Sequence, residues 1–202
     1  MGFDLYGLNP KTTVKKPDRP VGMYEEGVPQ PSKEAIDKYF NALSDYNNEE
    51  GTYFRNNVWW WRRLADFVYN ETGCISDEDF PKWHTNEGHQ VSEQEAIAIA
   101  DQLQMLIDNG TVAKHEEEIN TQMERASKEN EKVDEAHKKL AEKVKQETGK
   151  ENLAPADYPK ADYEEWNRIQ GQYNYNSSYP FKTENVREFI NFCRSSGGFE
   201  IC

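Results

Sequence analysis

The chain is poor in the residue patterns that mark most catalytic and cross-linked proteins. Among 202 residues there are three cysteines, Cys74, Cys193 and Cys202, widely spaced and without a C-x-x-C pair. An odd, scattered set argues against a disulfide framework or a zinc ribbon. No apolar run approaches the roughly eighteen residues of a membrane helix. The first twenty residues carry Asp4 and no long apolar stretch, so no signal peptide is expected. Neither G-x-S-x-G nor H-E-x-x-H occurs, which removes the commonest hydrolase and zinc-protease patterns. Basic residues are also short: 24 Lys and Arg against 37 Asp and Glu, a formal charge of −13. Phosphate binding needs a basic surface, so neither double-stranded DNA nor an anionic membrane is an expected partner. Together these point to a reduced, cytoplasmic protein with no cofactor and no metal. Asp77, Glu78, Asp79, His84 and His89 fall within thirteen residues but lack a helical metal-ligand spacing, and they read as a solvated acidic loop.

Only 36% of the residues are apolar, thin for one compact globule of this length, so part of the chain is expected outside the core. The pattern predicts an α+β fold, mainly helical. Phe3-Asp-Leu-Tyr6 and Phe199-Glu-Ile-Cys202 alternate as short strands at the two ends and are expected to join one small antiparallel sheet. Ser32 is placed to cap a helix carrying Ala35, Ile36, Tyr39, Phe40 and Leu43 at helical spacing. Ser92 with Glu95 forms the signature of a capping box ahead of Ala96, Ile99, Ala100, Leu103, Leu106 and Ile107. Thr183 opens a last helix with Val186, Phe189, Ile190 and Cys193 on one face, stopped at Gly197 or Gly198.

Three regions emerge: 1–110 as the N-terminal part of a core domain, 111–149 as a heptad helical insertion, and 150–202 as a connector and the C-terminal part of the core. In the insertion Val112, Ile119, Ala126, Val133 and Leu140 share one heptad position, and Glu116, Met123, Asn130, His137 and Val144 share the partner position. One apolar seam and one mixed seam describe a coiled-coil-like helix. Homo-oligomerisation through Val112, Ile119, Met123, Val133, Leu140 and Val144 is therefore expected, set against a solvated single helix. His137 in the seam would make such an association pH-sensitive. The Tyr- and Asn-rich stretch 150–182 reads as an irregular wrap over the core.

What stands out is Tyr53-Phe-Arg-Asn-Asn-Val-Trp-Trp-Trp-Arg-Arg63, three consecutive tryptophans and three arginines in eleven residues. Read as one helix to Asn70, at about 100° per residue, Phe54, Val58, Trp61, Leu64, Ala65 and Val68 share a core face. Trp59 falls off that face, bracketed by Arg55, Arg62 and Arg63. Guanidinium groups pair bidentately with phosphate or carboxylate, and indole stacks on planar rings. Arg55, Trp59, Arg62 and Arg63 are thus the candidate ligand-binding set, for a nucleotide-like anionic molecule. The alternative is that they complete the core and pair with local carboxylates.

This segment, with Met1-Gly-Phe-Asp-Leu-Tyr-Gly-Leu-Asn-Pro10 and Ser196-Gly-Gly-Phe-Glu-Ile-Cys202, resembles a group of small proteins of uncharacterised function encoded by tailed bacteriophages and bacteria. The resemblance covers both ends, the aromatic segment and the helix at 92–108, and not the heptad stretch. It implies no activity and no site residues, only a setting inside a bacterial host cell. The functional expectation is a non-enzymatic binding protein that sequesters a nucleotide-like ligand or blocks a host protein. An assembly protein oligomerising through 111–147 is the second reading. An enzyme is the weakest, because no acid, base and nucleophile can be assembled from spacing.

Overall fold

The structure, a computed structural model, describes residues 2–202. The chain is α+β and mainly helical, in the order β1 (Gly2–Gly7), α1 (Lys33–Asn47), β2 (Tyr53–Asn57), α2 (Val58–Thr72), β3 (His89–Val91), α3 (Glu93–Asp108), α4 (Thr111–Thr148), α5 (Lys160–Gln170), α6 (Thr183–Ser195) and β4 (Phe199–Ile201). It divides into two compact units. One holds the residues up to Lys114 together with Phe181–Cys202, and the other is His115–Pro180. Residues 150–180 thus belong with α4 in this division.

The first unit is built on a four-stranded antiparallel sheet in the order β2-β1-β4-β3. The two chain ends pair as expected, Leu5 facing Ile201 and Gly7 facing Phe199, and β2 and β3 extend the sheet at either side. Side chains alternate across it. Phe3, Leu5, Phe54, Phe199 and Ile201 are buried, whereas Asp4, Tyr6, Arg55 and Glu200 point to the other face. Helices α2, α3 and α6 supply the matching apolar faces: Trp61, Leu64 and Val68, then Ala96, Ile99 and Leu103, then Val186, Phe189 and Ile190. Trp61 lies at the centre. Its ring stacks on Trp83 at 5.7 Å and on Phe3 at 5.6 Å, and meets Phe189 edge-on at 5.9 Å. Its indole N–H donates to the Trp83 carbonyl at 2.6 Å.

The helix expected from Tyr53 to Asn70 is a strand followed by a helix, and Asn57 is the reason. Its extended backbone (φ −68°, ψ 165°) ends β2, and its side-chain oxygen accepts from the Trp59 and Trp60 N–H groups, capping α2. Before it, Tyr53-Phe-Arg-Asn alternates outward and inward on the sheet. Two other caps follow the sequence: Ser32 accepts from the Ala35 N–H, and the Ser92–Glu95 capping box is complete; the cap of α6 falls on Lys182 and not on Thr183, which is already the first helical residue. Gly197 and Gly198 both take positive φ after α6. A Cβ on Gly197 would lie 2.2 Å from the Asn9 carbonyl oxygen, so no other residue fits there.

The stretch 150–182, whose residues up to Pro180 lie in the second unit, is not the irregular wrap expected. It contains α5, which packs along α4. Val133, Leu140 and Val144 of α4 form a core with Ile169, joined by Leu153, Tyr158, Trp166 and Tyr173. For Val133, Leu140 and Val144, three of the six seam residues, the chain itself supplies burial that the heptad pattern assigns to a second copy. Asn130, 3% exposed, fixes the register of the returning segment. Its side chain donates to the Asn174 carbonyl and to Ser177 Oγ, both at 3.0 Å, and accepts from the Asn174 N–H at 2.8 Å. Buried Asp162 accepts from the Lys143 ammonium at 2.7 Å.

Two stability measurements check this packing. Trp61→Ala opens a cavity and orphans a buried carbonyl, and should cost about 3–5 kcal/mol in urea denaturation. Asn130→Ala should cost about 1–3 kcal/mol and speed hydrogen exchange of the Asn174 amide; an unchanged Asn174 exchange rate would show that the register is set elsewhere.

Candidate functional site

A cleft of about 420 Å³ opens in the first unit, lined by Arg55, Asn56, Asn57, Trp60, Lys182, Glu184, Asn185 and Glu188. Its size is that of a ligand pocket. The sequence positions it through three local events. The Asn57 cap turns the chain from β2 into α2, which brings Trp60 onto the first turn next to the strand end. Phe54 packs on Phe189 at 5.3 Å and on Phe192 at 5.7 Å, holding α6 under β2. Lys182, the cap residue before α6, and the first half of α6 form the opposite wall.

One group in this wall is anomalous. Asn56 sits at a core-facing strand position, where apolar residues are the rule. It is 8% exposed, and its Nδ2 is buried with no hydrogen-bond partner among the described residues. Buried polar groups are nearly always bonded, so an exception calls for a reason.

The electrostatics are balanced. Arg55 and Lys182 face Glu184 and Glu188 in the lining. Arg55 is also held by Asp4, Nε to Oδ1 at 3.4 Å, and Asp4 accepts from the Tyr53 hydroxyl as well. Partial burial, then the hydrogen bond to Asp4 and its charge, push the Tyr53 phenol far above its ordinary value. Burial, followed by the charges of Asp4 and Cys202, raises the neighbouring Tyr6.

Of the four residues expected to bind ligand, only Arg55 lines the cleft, and it does so from a strand. Trp59 is 38% exposed beside the α2 cap, Arg62 is exposed and Arg63 half-buried further along α2. Trp60 takes the place expected of Trp59. Asn56, Lys182, Glu184, Asn185 and Glu188 were not among the expected residues. The only sequence signal for them is the Asn56-Asn57 pair before an aromatic run, a cap signature that also puts an amide on the strand.

Among the described residues no group of three His, Cys, Asp or Glu side chains is placed to hold a metal ion. His84 Nε2 lies 3.3 Å from Asp66 Oδ1. Cys193 is a core residue whose thiol burial pushes well above its ordinary value. Among the described residues no helix is long and apolar enough to cross a membrane.

These shifts have a signed consequence. Cys193 and Tyr53 hold their protons in the native state beyond the ordinary values of 9.0 and 10.0 at which the unfolded chain releases them. The native state then binds more protons than the unfolded one, so stability is fully present below pH 9 and falls as pH rises above it. Urea midpoints measured from pH 7 to pH 11 should show this fall, and Tyr53→Phe should flatten its upper part.

Compared with protein-family models, with curated proteins and with solved structures, the chain matches none.

Proposed function

We propose that this chain is a non-enzymatic binding protein whose recognition site is the cleft between β2 and the first half of α6. The observation that carries the reading is Asn56 in the cleft wall, whose buried Nδ2 has no hydrogen-bond partner among the described residues. A donor kept in that state costs about 1–3 kcal/mol in the free protein, a cost that a ligand acceptor would remove. Trp60 offers a flat apolar face beside it, and Asn57 and Asn185 add further amides. Such a lining recognises hydrogen-bonding groups and holds no nucleophile with an adjacent base. The equal numbers of cationic and carboxylate side chains favour a ligand of little net charge over the nucleotide-like anion that the arginines alone suggest. The resemblance of the terminal and aromatic motifs to phage proteins supports action on a host component inside a bacterial cell.

The test needs no knowledge of the ligand. Asn56→Leu removes the orphan donor at similar volume, and should raise the stability of the free protein by about 1–3 kcal/mol in urea unfolding. A loss of stability would mean that the amide is already satisfied, and the reading would fall.

A further inference from the structure

We infer that the cleft receives an extended polypeptide segment of a partner protein, added as a fifth strand along the free edge of β2. This deepens the proposed function and rests on its assignment of the cleft.

Backbone geometry points first to this class of ligand. β2 is an outer strand of the sheet. The Gly7 N–H donates to the Thr52 carbonyl at 3.0 Å, one position before the strand. In an antiparallel pair, hydrogen-bonded positions alternate. Phe54 and Asn56 therefore bond to Leu5 and Phe3 of β1, their register partners. Tyr53 and Arg55 turn their N–H and C=O groups away from β1, and Asn57, the cap of α2, ends the row. Among the described residues, no other backbone group bonds to Tyr53 or Arg55. Exposed rows of this kind are templates for strand addition unless blocked. β2 carries no proline and is five residues long; β3, the opposite edge, has only three.

The cleft lies beside this strand. Arg55 and Asn56 project to opposite faces of the sheet, yet both line the same cavity with Asn57. A cavity touching both faces of one strand runs past its edge or its end. α6 forms the far wall, giving a groove between an edge strand and a helix, which is a recurring way to hold an extended peptide.

The lining chemistry selects a polypeptide of mixed charge. Main-chain amides are polar and uncharged, and they match the Asn56, Asn57 and Asn185 amides. Arg55 and Lys182 on one hand, Glu184 and Glu188 on the other, suit neighbouring side chains of opposite sign, with an apolar one against Trp60.

A randomised dodecapeptide library selected against the full chain tests this. Selected peptides should protect the Tyr53 and Arg55 amides from hydrogen exchange at least tenfold. N-methylation at alternate peptide residues should weaken binding tenfold or more, while methylation at the residues between should not. Trp60→Ala should also weaken binding tenfold without changing the circular dichroism spectrum. Peptides that bind in the cleft without the two-residue alternation would overturn strand addition and leave the cleft reading standing. A library that yields no binder, or only binders indifferent to Trp60→Ala, overturns the inference outright. Sedimentation showing a dimer of the free chain with those two amides already protected would assign the edge to a second copy and overturn it as well.

Discussion

The first unit hangs on the hydrogen bond from the Trp61 indole to the Trp83 carbonyl. An indole at the centre of a core must place its one polar atom, and here it does so on a turn between α2 and β3. That bond pins the stretch after α2, which otherwise has few apolar residues to hold it. The same ring touches β1, the Trp83 turn and α6. Fixing Trp61 fixes the rotation of α2, and the rotation of α2 decides where Trp59 and Trp60 emerge. Three tryptophans in a row therefore divide their work: one locks the core, one lies at the surface, and one faces the cleft.

The second unit solves a different problem. A helix of 38 residues with so few large side chains cannot bury itself, and its stability depends on what covers the seam. α5 covers part of it with Trp166 and Ile169. Asn130 then converts a polar interruption into a fixed attachment for the turn at Asn174. A buried amide with every bond satisfied specifies one register, because any slip would leave it unpaired.

Much of this was legible in the sequence wherever a signal is local. Ser32, the Ser92–Glu95 box, the glycines after α6 and the alternating ends each declare an element within a few residues. The heptad positions of α4 also declare themselves, since Val112, Ile119, Ala126, Val133 and Leu140 are all buried. What period analysis alone cannot supply is the partner of a seam, so an intrachain helix with only two large apolar residues on its face escaped notice. The β2–α2 junction was obscured for a related reason. Phe54 is buried both in the real strand and in the expected helix, and only the Asn57 cap separates the two. The cleft was the least visible feature, because its walls come from residues 55–60 and 182–188, which the pattern gives no reason to join.

The pairing of β1 with β4 carries a consequence for how the chain is made. Asp4 and Cys202 exchange backbone hydrogen bonds at 2.8 Å in both directions, and β4 lies inside the sheet between β1 and β3. During synthesis, His115–Pro180 is complete and contiguous before β4 exists. The second unit can form while the first still lacks an interior strand, and until that strand arrives β1 and β3 both present open edges beside an aromatic core. The interval between those events is when this protein is most exposed to aggregation and to chaperones.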